Sequence, residues 1–145
     1  MKRNRGVTLI EVLVAVLIVG IGVLGIVELQ LLSMQTNASA LYRTQANQFA
    51  YDIIDRARAN PAGNYALAMN SAGPVGAPDC EASACNVAGM TNHDLAAWLQ
   101  LVSQLPRGDG SVVIAGDVVT VTVQWDDDND AVNDPASITL STQLR

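Results

Sequence analysis

The sequence predicts an α+β fold, with one long N-terminal helix packed with a second short helix on a small antiparallel β-sheet. Three observations point to it. From Glu28 to Asn60 there is neither proline nor glycine, and apolar residues recur every three or four positions. Between Asn60 and Met90, Pro61, Pro74, Pro78, several glycines and both cysteines cluster in a loop-like stretch. From Ser111 to Leu144, apolar and polar residues alternate as they do in half-buried strands.

The first element begins with a short basic leader, in which Lys2, Arg3 and Arg5 are three of the eight basic residues of the chain. An apolar run follows from Val12 to Val27, with Glu11 inside its mouth. Val7 to Val27 rises about 30 Å as a helix, the thickness of a bilayer core. The basic leader favours a cytoplasmic N-terminus, with the rest of the chain on the far side. A carboxylate costs about 2.5–3.5 kcal/mol at the centre of a membrane helix and less near its end, so Glu11 calls for a compensating partner. Two other readings of this region fare worse. Ala38-Ser39-Ala40 has the form of a signal-peptidase site, but it lies well beyond the apolar run, inside a continuing helix. Gly20-Ile21-Gly22-Val23-Leu24-Gly25 has the letters of a dinucleotide fingerprint without the preceding strand and turn that the fingerprint needs.

Beyond the apolar run, Leu31, Met34, Ala38, Leu41, Tyr42, Phe49, Ile53 and Ala57 form one stripe, and Asn60-Pro61 ends the helix. From Val7 to Asn60 a straight helix would measure about 80 Å. Cys80 and Cys85 sit close together in the loop that follows. If the domain lies outside the cytoplasm, they read as a disulfide closing a tight ring, a contribution of roughly 2 kcal/mol on the chain-entropy account. Their spacing is not that of a C-x-x-C redox pair. Thr91-Asn92-His93-Asp94 resembles a helix start, and Leu95, Trp98, Leu99, Val102 and Leu105 carry a short amphipathic helix to Pro106. Arg107-Gly108-Asp109-Gly110 reads as a turn, Ser111–Ala115 as a strand and Ala115-Gly116-Asp117 as a hairpin signal. Asp117–Trp125 follows with Val119, Val121, Val123 and Trp125 on one face. Ala136–Leu144 repeats the pattern with Ile138, Leu140 and Leu144.

Composition narrows the function. Half the chain is hydrophobic and the formal net charge is −6. Outside the leader the chain is strongly acidic, without a basic stripe, which points away from nucleic acid. His93 is the single histidine and no nucleophile has a base beside it, so neither an enzyme, a cofactor nor a small-molecule substrate is expected. Arg107-Gly108-Asp109 spells an integrin tripeptide, for which a turn is sufficient explanation. The densest ligand cluster is the acidic stretch Asp126 to Asp134. Asp126, Asp128, Asp130 and Asp134 are the oxygens a calcium ion would use, but Ala131 occupies the turn position that calcium loops give to glycine. A solvated hairpin loop is the plainer reading.

Arg5-Gly6-Val7-Thr8-Leu9-Ile10-Glu11-Val12-Leu13 resembles the class III signal of type IV pilins and pseudopilins. The resemblance implies the type IV pilin fold and a membrane peptidase that cuts between Gly6 and Val7 and N-methylates Val7. It makes Glu11 the fifth mature residue, facing the N-terminal amine of a neighbouring subunit. Val7 departs from the phenylalanine common at that place, which the family tolerates. Ile18 to Gly25, Leu95 to Leu99 with Leu105-Pro106, and Val119 to Trp125 are similar to V-type minor pilins. The implied organisation is a cleaved leader (1–6), a membrane and filament-core helix (7–27), the periplasmic half of the same helix (28–60) and a globular head (61–145). The implied partners are the prepilin peptidase, other minor pilins, the major pilin and the inner membrane. The implied role is initiation of pilus assembly, with a place in a tip complex and in adhesion. A minor pseudopilin of a type II secretion system, or a membrane-tethered adhesin domain that never polymerises, is the alternative.

Overall fold

The computed structural model describes residues 8–127 and 135–144. Its elements are α1 (Leu9–Ala59), α2 (Val87–Val102), β1 (Asp109–Ala115), β2 (Val118–Trp125) and β3 (Ala136–Gln143). The strands form one antiparallel sheet in the order β1-β2-β3, giving the α+β pilin-like fold expected from the sequence. The chain divides into two compact units, and the division falls within α1, between Ala38 and Ser39.

In the first unit α1 is apolar all round from Val12 to Val27, and its side chains are exposed, among them Leu13, Leu17, Val23 and Leu24. An 18-residue stretch of this helix has a mean hydropathy of 2.9 and none of it is buried, so the helix is long and apolar enough to cross a membrane. Gly20, Gly22 and Gly25 lie inside the continuous helix, so the fingerprint letters have no strand or turn to stand on.

In the second unit α1 buries one face: Ala46, Ala50, Ile53, Ile54 and Ala57, flanked by Tyr42 and Phe49. This stripe overlaps the expected one at Tyr42, Phe49, Ile53 and Ala57 and departs from it elsewhere. Leu41 is 54% exposed, and Leu31 and Met34 belong to the first unit, where they too are exposed. Ala46 and Ala50 take their place because a small side chain lets the helix axis approach its neighbours closely. A reading weighted toward large apolar residues passes over them.

The core lies between this face, α2 and the inner face of the sheet. Val119, Val121, Val123 and Trp125 alternate inward along β2 and are buried, as their spacing predicts. Trp98 from α2 is fully buried, and its indole N–H donates to the carbonyl of Phe49 at 2.8 Å, tying α2 to α1. Each buried tryptophan removes about 150–250 Å² from water, roughly 4–6 kcal/mol at 25 cal/mol per Å². In a chain with so few aromatics, these two side chains dominate the core.

Three boundaries differ from the sequence reading. Helix α2 starts at Val87, earlier than Thr91, with Asn86 as its N-cap accepting the Gly89 N–H at 2.8 Å. Thr91 and Asp94 are buried inside the helix, because other elements supply their hydrogen-bond partners. Strand β1 starts at Asp109, so the expected turn contributes two residues to the sheet. In the supposed loop, Leu67 exchanges two backbone hydrogen bonds of 2.8 Å with Val112 and covers part of the β1 edge.

Two glycines are required where they stand. Gly116 has φ of 61° at the first central position of the two-residue turn between Ala115 and Val118, a type II′ arrangement. A Cβ at Gly110 would overlap the ring of Trp98, so the strand can pass beneath the indole only without a side chain. Gly110→Val is expected to destabilise the head by about 1–3 kcal/mol. Urea unfolding of the full chain in detergent, followed by tryptophan fluorescence, measures this.

Candidate functional site

Two regions carry the polar chemistry of the chain: the start of α1 and a cluster where α1 and α2 meet in the head. At the first, the N–H groups of Glu11 and Val12 both donate to the Thr8 carbonyl, at 3.1 and 3.3 Å. Glu11 therefore stands in the opening turn of α1, where the free N–H groups and the helix dipole favour a negative charge. Its apolar neighbours Ile10, Val12 and Leu13 are exposed. The start of α1 offers one carboxylate on an otherwise apolar surface, which can select a partner carrying one matching cation. Gly6 and Val7, the expected cleavage and methylation positions, lie outside the described residues.

In the head, the second region centres on Asp94, which is 6% exposed. The Tyr65 hydroxyl donates to Asp94 Oδ2 at 2.5 Å, and Arg56 Nη1 donates to Asp94 Oδ1 at 3.1 Å. Arg56 Nε also donates to Asp52 one turn earlier on α1, at 2.8 Å. Asn60 Nδ2 closes the group by reaching Val87 O at 3.1 Å and Thr91 Oγ1 at 3.2 Å. The end of α1, the loop residue Tyr65 and α2 are thereby fastened through one carboxylate. Among the described residues, no buried side-chain nitrogen or oxygen lacks a partner.

The electrostatics follow from this packing. Burial disfavours the Tyr65 phenolate, and the Asp94 carboxylate that accepts its proton disfavours it further. Against the opposing contacts from Asn60 and Thr91, the Tyr65 pKa is pushed up to about 12. Burial works to lower the Arg56 guanidinium, but hydrogen bonds to Asp52 and Asp94 and the charges of both outweigh it, so its pKa is raised. The sequence places Asp94 among the capping residues of a helix start, whereas here it is the buried acceptor of the cluster. Asp52 and Arg56 at i,i+4 were the visible signal of the ion pair; the long-range partners were not visible.

Cys80 and Cys85 are bonded, with Cα atoms 5.4 Å apart. Of the acidic stretch, Asp126 and Asp127 are described and both are engaged by the protein. Arg107 donates to Asp126 at 3.5 Å, while Asp127 accepts from Ser39 Oγ at 2.7 Å and from Trp125 Nε1 at 3.2 Å. Asp128, Asp130 and Asp134 lie outside the described residues. The tripeptide at Arg107 is a structural turn: Asp109 accepts the Asn70 and Gly110 N–H groups, at 2.5 and 2.8 Å.

Residues 1–27 match the profile of the prokaryotic N-terminal methylation motif. The match covers the start of the chain and indicates a type IV pilin-like prepilin. The motif implies processing by a prepilin peptidase and assembly with other pilins, and with the apolar helix it indicates membrane anchoring. Proteins of this kind are structural and generally not enzymes. Comparisons with curated proteins and with solved structures yield no match to the chain.

The head cluster makes two measurable statements about this prepilin. Asp94→Ala leaves Arg56 and the Tyr65 hydroxyl without their acceptor. The expected loss is about 2–3 kcal/mol, below the 3–5 of a fully buried pair because Arg56 keeps 31% of its side chain in water. Tyr65 has a folded-state pKa above its unfolded value of 10.0, so its contribution is complete below pH 10 and is lost as pH rises toward 12. The unfolding free energy of the unmodified chain should fall by up to about 2–3 kcal/mol more than that of Tyr65→Phe across this window. Equilibrium denaturation of the two chains from pH 9 to pH 12 checks it.

Proposed function

We propose that the chain is a minor pilin of the PilV type that takes part in initiating the type IV pilus. It is made as a prepilin in the inner membrane, with its N-terminus in the cytoplasm and its head in the periplasm. The peptidase cuts after Gly6, Val7 is N-methylated, and residues 7–27 hold the subunit until it enters a priming or tip complex with other minor pilins and the major pilin. There the head stands outside the cell and contributes to adhesion.

The observation that carries this reading is the carboxylate of Glu11 in the first turn of α1, alone in an exposed apolar stretch that runs to Val27, at the fifth position after the glycine of a methylation motif. Cutting at Gly6 creates an amine close to that carboxylate in sequence. Between chains they meet when one subunit is shifted along its neighbour, so the pair sets the register. An opposite pair about 4 Å apart is worth roughly 4 kcal/mol at an effective dielectric near 20, enough to decide between neighbouring registers.

The mature protein should begin at Val7 with one added methyl group, and its two cysteines should be oxidised; intact mass and N-terminal sequencing decide this. A mature chain that keeps Met1 in peptidase-positive cells, or that begins at Leu41, contradicts the assignment. Glu11→Ala should lower pilus number at least about tenfold, the effect of losing 1.4 kcal/mol. Unchanged piliation would favour a tethered domain that does not polymerise. Normal piliation together with lost type II secretion would favour the pseudopilin reading.

A further inference from the structure

The disulfide ring is joined to α2 in a way that the assembly role does not use. Pro78, Asp79 and Cys80 lead into the ring, and Cys85 is followed directly by Asn86, the cap of α2. His93, two turns into α2, lies with Nδ1 2.9 Å from the Pro78 carbonyl and 3.5 Å from the Cys80 nitrogen. A carbonyl can only accept, so the shorter contact requires the proton on Nδ1. The longer contact is then a proximity and not a hydrogen bond. At the entrance to the ring, Asp79 Oδ1 accepts the N–H groups of Glu81 and Ala82, at 3.0 and 3.1 Å. Both ends of the six-residue ring are thus pinned to one helix, at its cap and at His93.

The ring holds more than itself. The stretch leading into it, with Pro74, Ala77 and Pro78, faces His93, Ala96 and Gln100 of α2 across a cleft of about 590 Å³. Gly73, at φ of 73°, lies so close to Leu99 that a Cβ would overlap it. Among the described residues, the backbone pairing of this loop with the sheet is Leu67–Val112, before the wall begins, whereas α2 from Asp94 onward is fixed by Tyr65, Arg56 and the Trp98 core.

We propose that Cys80–Cys85 is a redox-sensitive latch that keeps the 73–80 wall closed on α2. Reduction by a dithiol consumes its two thiols, which become a disulfide, and delivers two electrons and two protons to give free Cys80 and Cys85 thiols. With the ring open, Pro78 is no longer presented to His93, the Asn86 cap is no longer preceded by a fixed residue, and the first turns of α2 fray. The wall lifts from Ala96 and Leu99, while the helix from Asp94 and the sheet stay in place. The latch therefore closes only where cysteines are oxidised, and it opens an apolar side of α2 without unfolding the head.

Hydrogen exchange on the full chain in detergent micelles, oxidised and after a phosphine or dithiol reductant, tests this. Reduction should speed exchange across residues 73–93 by on the order of 30-fold, the opening that a six-residue ring suppresses by loop-closure entropy. Amides 94–97, whose carbonyl acceptors lie in the frayed turns, should speed as well, while residues 98–102 and the strands should be unchanged. Nitrogen-15 spectra of His93 should show the Nδ1–H tautomer in the oxidised chain and its loss on reduction. Exchange unaltered by reduction, or faster exchange throughout the head, overturns the latch. So does a His93 tautomer indifferent to the redox state. The Cys80→Ser, Cys85→Ser double variant should behave as the reduced chain does.

Discussion

Everything in this structure depends on one helix that has to meet two environments. As far as Val27, α1 presents apolar side chains on every side apart from Glu11, and from Ala46 to Ala57 it buries them along one side. A helix apolar all round is stable only inside a lipid or protein surround, and a one-sided helix only against a partner layer. The same backbone hydrogen bonding runs through both, because helical pairing is internal to the segment and indifferent to what lies outside it. Composition alone changes along the helix, and it is composition that separates the anchoring part from the part that builds the head.

The head answers this with a layer whose chemistry is divided by face. Inward, β2 places valines and a tryptophan against α1 and α2. Outward, hydroxyl groups pair across strands, Thr120 with Ser141 at 2.9 Å and Thr122 with Thr139 at 3.1 Å. The polar cluster at Asp94 then fastens α1 and α2 to the loop that opens into the disulfide ring. Apolar burial supplies most of the stabilisation, while the buried carboxylate specifies which helix faces meet.

Much of this was legible in the chain itself. The strict alternation of Val119 to Trp125 determined the inner face of the sheet, since a one-residue slip would turn every valine to solvent. Glu11 was legible because a carboxylate in an apolar run is costly and demands a reason. The start of α2 was not, because Asn86 and Thr91 are both capable caps and only the three-dimensional partners of Thr91 and Asp94 decide between them. The Leu67 bridge was hidden in a glycine- and proline-rich stretch whose single strand-like residue has no periodicity to reveal it. Ala46 and Ala50 were hidden because close helix approach is a property of the neighbours as well as of the residue.

The ties between α1 and the rest of the head are spread along the helix. Ser39 reaches Asp127, Phe49 receives Trp98, Arg56 reaches Asp94 and Arg58 reaches Thr142. At 1.5 Å per residue these anchor points cover about 28 Å of α1. A pull along the helix axis would load all four at the same moment, as rivets in a lap joint share shear, whereas ties gathered at one end would fail in sequence. The force that parts the head from α1 therefore rises with the number of ties strained together.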